Sequence, residues 1–404
     1  MNKINFIFWH HEVHGPLNLK DIWSGNHSYG GSVSRLRIIF WIAKLGHSVK
    51  LIGNVNNHIF MNVESISGNR YLYDSSLEKN TVLILNDAPS DYNWQLLEKQ
   101  NNLIKIYWAG VPFSDIWLNR IDERKLDRIV CVSKYHKNLY KVYKQYRKIE
   151  YTYSGIDLDI LEDVQENSLE KNTVLFISVP RKTKGFHNML EAWQMVIKEI
   201  PDAKLRVCGS ALMHDPNTIV GKTGILDIEI EQQFPLFFSN PPISLLNNGI
   251  ELMGIRTLKE VYSDMKSSAL GIVNANFSNS LETYCRSAVE AQAAGIPIIA
   301  PNRGALKEVI QNNITGLLIN DKNILANKII RLLKDPKYRK YLGDNGRKLI
   351  QPLASLDLLA NDWINIAERA IKDENAPLLK VDVYDLLRNL RYGTFKLFFK
   401  KYFR

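Results

Sequence analysis

Cysteine is scarce. Cys131, Cys208 and Cys285 are the only three in 404 residues, and they form no C-x-x-C pair and no Cys/His spacing. This argues against a disulfide scaffold and a zinc site, and it fits a reducing, cytoplasmic compartment. Long apolar runs are missing too: no stretch approaches the ~18 apolar residues of a membrane span. The opening MNKINFIFWHHE carries an apolar run too short for a signal peptide and passes straight into a strand pattern. Metal and nucleotide signatures fail on single positions. His10, His11, Glu12 and His14 look metal-binding, but HExxH needs a histidine where Gly15 stands. Gly221-Lys222-Thr223 would end a P-loop only with a glycine at the position of Pro216. No G-x-G-x-x-G follows the first strand, so a dinucleotide oxidoreductase has little support. Basic charge outside the C-terminus is slight. Residues 388–404 hold six bases and no acid, leaving the rest of the chain only +4 of the net +10. A nucleic-acid-binding surface is not indicated.

What is present is an alternation of strands and helices, twice over. Ile4 to Trp9 reads as a buried strand, followed by a polar loop from His10 to Gly31. A helix pattern from Val33 to Leu45 and a strand from Val49 to Ile52 complete a βαβ unit. Buried-strand runs recur at Thr81–Leu85, Leu103–Trp108 and Arg128–Ser133. Asp157 to Asn172 carries six acids against one base and reads as the hinge. A second set opens at Thr173, with a basic turn at Arg181–Lys184 and a helix whose apolar residues are Met189, Leu190, Trp193, Val196 and Ile197. From Ser210 to Asn248 the pattern dissolves, as in a lid, an acceptor loop or an insertion.

The most informative stretch is NSLETYCRSAVEAQAAGIPIIAPNRGALKEVIQNNITG, residues 279–316. It reads as loop, helix, turn and parallel strand, with Gly295 as the helix stop. Glu282 and Glu290 stand eight positions apart. On one helix that is a rise of about 12 Å, too far to share a proton or a metal. Two such carboxylates suit two ends of an extended ligand. The amides near Thr283 to Arg286 would favour an anion between them. Spacing alone better fits an amphipathic helix with two solvated glutamates.

ETYCRSAVEAQAAGIPIIA resembles the E-x7-E signature of the retaining glycosyltransferases of family four. The resemblance implies the GT-B fold: two Rossmann-like, doubly wound α/β domains facing each other across a cleft. It places the domains at 1–160, joined by a crossing helix near 355–372, and at 173–350. It implies a nucleotide-sugar donor, Glu282 at the donor sugar and Glu290 at the ribose. Thr283, Tyr284, Cys285 and Arg286 line the phosphates, and Gly254 lies beside the base with Ile255 and Arg256. Cys285 departs from the family's usual glycine. YGGSVSRLRIIFWIAKLGHSVKLIG resembles the family's opening unit and implies a donor role for Gly30 and Gly31. RKTKGF resembles its Arg…Lys-Gly turn, so Arg181 and Lys184 would hold the diphosphate; their spacing is shorter than usual, which also admits Lys182. A bidentate arginine and a point-charge lysine suit that task. No cofactor or metal is implied. The histidine common after the strand in IYWAGVP is absent, with Trp108, Ala109 and Gly110 there instead. Asp87 and His27 are the remaining first-domain candidates.

In RYGTFKLFFKKYFR, Tyr392, Phe395, Phe399 and Tyr402 fall near one helical face and Lys396, Lys400 and Arg404 form a stripe. Such a tail fits peripheral binding to an anionic membrane or packing on its own protein. The expected function is retaining transfer of a sugar to a glycan or lipid-linked acceptor. The alternatives are a nucleotide-sugar epimerase or hydrolase, a non-catalytic sugar-binding scaffold, and a membrane-tethering adaptor.

Overall fold

The computed structural model describes residues 3–10, 16–26, 36–74, 77–78, 80–86, 91–165, 170–213, 217–278 and 281–377. His27, Gly30, Gly31, Asp87 and the basic tail at 388–404 lie outside the described residues. Two compact units share the chain. The first takes the described residues up to 20, 36–154 and those from 356 on; the second takes 155–355 with 21–26.

The first unit is built on strands β1 (Asn5–His10), β2 (Ser48–Gly53), β3 (His58–Phe60), β4 (Val63–Ser67), β5 (Thr81–Leu85), β6 (Leu103–Ala109), β7 (Arg128–Cys131) and β8 (Ile149–Tyr151). They lie in the order β3-β4-β2-β1-β5-β6-β7-β8, and only the β3–β4 pair is antiparallel. Continuous burial along β5 explains why it reads as an apolar run rather than an alternation: a parallel strand is covered on both faces. The Leu356–Ile371 helix belongs to this unit. Its Trp363 meets Phe8 and Trp108 with ring centroids 6.3 and 4.7 Å apart. Arg369 grips Glu150 with an Nη2–Oε2 distance of 2.5 Å, and the buried Arg128 donates to the Arg369 carbonyl at 3.0 Å.

The second unit is built on β9 (Glu170–Ile177), β10 (Lys204–Cys208), β11 (Ile250–Gly254), β12 (Ser268–Ile272), β13 (Ile298–Pro301) and β14 (Gly316–Ile319). The order is β11-β10-β9-β12-β13-β14, all parallel. The side-chain alternation of β9 divides two cores. Val174 and Phe176 pack with the Phe186–Glu199 helix, while Leu175 and Ile177 pack with Leu258–Ser267 and Arg286–Ala293.

Part of the acidic stretch read as a hinge is folded. Asp157 caps the Leu158–Asp163 helix, its Oδ1 accepting from the Ile160 amide at 2.9 Å, and β9 begins at Glu170. The stretch 210–248 also differs from its patternless sequence. Short helices at Ile228–Gln233, Pro235–Phe238 and Ile243–Asn247 bury Ile230, Phe237, Phe238 and Leu245 in the core beneath Trp193. Helices of one turn or so are too brief to display a period. The Gly221-Lys222-Thr223 turn binds a carboxylate of its own: Glu231 accepts from the Lys222 and Thr223 amides at 2.6 and 2.9 Å.

Candidate active site

In a doubly wound sheet the chain runs outward one way from the first strand, then returns and runs the other way. The carboxyl ends of the two central strands then diverge and leave a crevice for a ligand. In the second unit this switch lies between β9 and β12. The loops after β9, β12 and β13 meet there.

The loop after β9 carries Arg181, Lys182 and Lys184. Gly185 ends its short turn at φ 76°, and a Cβ at this residue would lie 2.0 Å from the Ala275 carbonyl carbon. Only glycine lets the turn lie this close to the loop after β12. Side-chain amides fasten the contact: Asn276 donates to the Thr183 carbonyl and Asn188 to the Ala275 carbonyl, each at 2.9 Å. From the other side comes the loop after β13. Ala305 donates its amide to the Glu282 carbonyl at 2.9 Å, and an added Cβ on Gly304 would sit 2.5 Å from that oxygen.

Lys184 and Glu282 are brought together, with Nζ 3.2 Å from Oε2. Asn274 donates its Nδ2 to the same oxygen. Burial acts to lower the Lys184 pKa, but the Glu282 carboxylate outweighs it and holds the ammonium above its ordinary range. Cys285 is the N-cap of the Arg286–Ala293 helix and makes no side-chain capping bond. Burial, reinforced by Glu282, pushes its thiol pKa up, so it stands as a small neutral group. Thr283 is buried beside it, and burial raises the Tyr284 phenol as well.

Glu282 therefore precedes the helix rather than lying on it, and the rise worked out for two helical glutamates does not apply. Glu290 lies within the helix and is fully buried, 0% exposed. Arg286, 9% exposed, donates its Nε to Glu290 Oε1 at 2.8 Å. Neither is the solvated glutamate that spacing alone allows.

Arg181 is not beside Lys184's carboxylate. Its guanidinium donates to the Ala211 carbonyl and the Thr218 hydroxyl, bracing the loop after β10. Lys182 turns to Glu229 at 3.1 Å. Gly254 closes β11 at φ 67° and accepts from the Gly209 amide at 2.9 Å. Arg256 points back to its own helix, pairing with Asp264 at 3.2 Å and Glu260 at 3.3 Å, while Ile255 is exposed. Sequence reasoning missed Asn274, Asn276 and Gly304. Each holds the site through a backbone or side-chain contact that no spacing rule encodes.

The first unit's switch lies between β1 and β5. There His10 and Asn86 close the two strands, with Nδ1 and Nδ2 3.5 Å apart, and the Asn86 amide donates to Trp9 at 3.1 Å. Among the described residues, no cluster of His, Cys, Asp and Glu suits a metal ion, and no helix is long and apolar enough to cross a membrane.

Residues 159–349 match the family model for glycosyl transferases group 1. That match covers the second unit, which is similar to the group 1 glycosyl transferases. An uncharacterised glycosyltransferase of Methanocaldococcus jannaschii is 28% identical over 225 residues, covering 55% of this chain and 54% of its own. The N-acetyl-alpha-D-glucosaminyl L-malate synthase of Bacillus anthracis is 23% identical over 309 residues, covering 76% of this chain and 70% of its own. The chain thus spans about half the length of the archaeal relative. Among solved structures, Anabaena HepE in complex with UDP-glucose superposes with a TM-score of 0.63 at 16% identity, over 90% of this chain and 98% of that one. At this identity the likeness shows the fold, which is GT-B.

Proposed function

We propose that this transferase moves a sugar from a nucleotide-sugar donor to a glycan or lipid-linked acceptor, retaining the anomeric configuration. The observation that carries the reading is the Lys184–Glu282 pair at the β9/β12 switch, beside the start of the Arg286–Ala293 helix. That arrangement sets a cation, a helix N-terminus and a carboxylate side by side. A diphosphate seated there takes charge stabilisation from Lys184 and the helix amides as the leaving group develops. Arg181 joins them only by exchanging its bonds to Ala211 and Thr218. The Glu282 carboxylate accepts from hydroxyls of the sugar. No metal is required for this charge balance. Retention follows if the acceptor attacks on the face that the phosphate leaves, with the phosphate oxygen taking the acceptor proton. Glu282 then acts as a sugar ligand and not as a nucleophile. Glu290, buried behind Arg286, serves the nucleotide end. HepE's recorded UDP-glucose complex makes a uridine donor the first to try.

The test is a thermal-shift panel of UDP, GDP, ADP, CMP and dTDP with their common sugars, with and without Mg²⁺, followed by turnover on the donor that binds. A ligand at a hundred times its Kd stabilises by about 2.7 kcal/mol. The expected result is one nucleotide family that binds with or without Mg²⁺, and transfer slowed by Glu282→Gln and Lys184→Met. Donor cleavage or epimerisation with every acceptor absent would point to a hydrolase or epimerase. No binding by any nucleotide would refute the donor site.

A further inference from the structure

We infer that Asn274 is the positioning residue for the Glu282 carboxylate, and that it alone holds this carboxylate once Lys184 turns to a bound diphosphate. This rests on the donor-site reading above and adds a residue to it.

The backbone of Glu282 is fixed from the β13 side by the Ala305 amide and the close approach of Gly304. Among the described residues its side chain is held by two donors, Lys184 Nζ and Asn274 Nδ2, and both meet Oε2. Oε1 has no hydrogen-bond partner among the described residues. One oxygen is thus anchored and the other remains for a ligand hydroxyl. The two anchors differ in kind. Lys184 is a cation, 39% exposed at its side chain, that a diphosphate attracts away from Glu282. Asn274 is neutral, 3% exposed, and rooted in a locked loop.

That loop shows its purpose in its backbone. Asn274 sits at φ 45°, in the left-handed region that asparagine tolerates better than any residue but glycine. The next two residues are bolted down, Ala275 to the Phe186–Glu199 helix through Asn188 and Asn276 to the basic turn at Thr183. Asn276 Oδ1 also accepts from the Ser278 amide at 2.8 Å. The amide of Asn274 is oriented by Glu282 itself: a carboxylate accepts from NH2 and repels the carbonyl oxygen. That orientation leaves Asn274 Oδ1 buried without a partner among the described residues. An orphaned buried acceptor is costly, and the retained orientation reflects the strength of the bond to Glu282. The charged or titratable groups facing this pair are Lys184 from the β9 turn and Cys285 from the helix start.

The test uses two substitutions that keep the backbone. N274G keeps the left-handed φ and removes the amide; N274D keeps φ and shape but sets a carboxyl against Glu282. For N274G the expected result is a kcat lower by about 10- to 100-fold, because a carboxylate misplaced by an ångström loses its alignment, with affinity for the bare nucleoside diphosphate within about twofold of wild type. For N274D the two carboxyls compete for one site, so the pair holds a proton to higher pH than an ordinary acid. The protonated carboxyl of N274D then donates as the amide did. Activity should be greatest at acid pH and fall as pH rises, a limb the wild type lacks. N274G with wild-type kcat, or N274D with the wild-type pH profile, would overturn the assignment. A crystal structure of N274G with a nucleoside diphosphate bound supplies a readout that needs no turnover: with Lys184 drawn from its 3.2 Å contact, the Glu282 carboxylate should shift or show two positions, whereas in wild type it stays on Asn274. If wild-type protein transfers no sugar from any donor, the transferase reading fails on its own, and an unmoved Glu282 in diphosphate-bound N274G still refutes the role of Asn274.

Discussion

Glu290→Ala separates structure from binding at the site's most buried charge. Glu290 is 0% exposed and its partner Arg286 9% exposed, so solvent screens neither. Deleting the carboxylate leaves a guanidinium at the helix start without the oxygen it holds at 2.8 Å. Breaking such a pair from one side costs about 3–5 kcal/mol. In a unit of this size each kcal/mol lowers Tm by about 2–4 °C, so differential scanning calorimetry should record a fall of roughly 6–20 °C. Replacing both partners by apolar residues removes the stranded charge. Arg286→Met with Glu290→Met should therefore recover most of the loss. Nucleotide titration of the three proteins well below their melting points then assigns the carboxylate. Recovered stability without recovered affinity makes the Arg286–Glu290 pair a ligand for the nucleotide; recovery of both makes the pair structural only. A single Glu290→Ala variant melting within about 1 °C of wild type would refute the argument, since no buried cation could then have been stranded.

Other consequences can be measured directly. Lys184 has a folded pKa above its ordinary 10.5. The stability it contributes is complete below the unfolded value and is lost as pH rises through the folded one. The stability difference between wild type and Lys184→Met should thus hold constant to about pH 10 and shrink above it; a difference that grows instead would refute the pairing with Glu282. His136 is fully buried, and burial lowers its pKa to about 3 from 6.5. The unfolded chain takes up this proton first as pH falls, so urea titrations should lose about 2 kcal/mol between pH 6.5 and 5, with His136→Leu flattening that limb. Gly185→Ala should displace the basic turn from the Ala275 backbone, cutting both stability and donor affinity. Intact nucleotide binding in that variant would show the turn to be dispensable. Trp363→Ala should cost about 3–5 kcal/mol in the first unit, read as early loss of its melting transition.

The second unit was the more legible of the two because its elements are long and its turns chemically marked. The Phe186–Glu199 helix shows its buried face in Met189, Leu190, Trp193 and Val196, as the apolar spacing requires. The Arg286–Ala293 helix begins where the small residues begin. What spacing could not yield is where side chains go once loops from different strands meet. Glu282 and Glu290 look alike in sequence, but one precedes the helix at a loop junction and the other sits inside it, facing a buried arginine. Asn274 is linked to Glu282 across a loop with no period, so no pattern connects the two. The 210–248 layer was illegible for the opposite reason: its helices are present but too short to be periodic.

Arg181 shows how a short turn redistributes charge. It stands only three residues before Lys184, in extended backbone at φ −122°, and its side chain leaves on the β10 side. There it binds Ala211 and Thr218, while Lys184 leaves on the β12 side toward Glu282. A single turn thus serves both neighbours of β9: one cation ties down the adjacent loop, and the other supplies the charge at the switch point. Thr218→Val separates these duties. It removes a hydroxyl acceptor from Arg181 and leaves Lys184, Asn274 and Glu282 untouched. If Arg181 is only a brace, the variant loses stability and binds nucleotide as before. If the guanidinium also serves the diphosphate, freeing it from Thr218 tightens nucleotide binding, and Arg181→Lys then weakens it. Unchanged stability together with unchanged affinity in Thr218→Val would refute both roles.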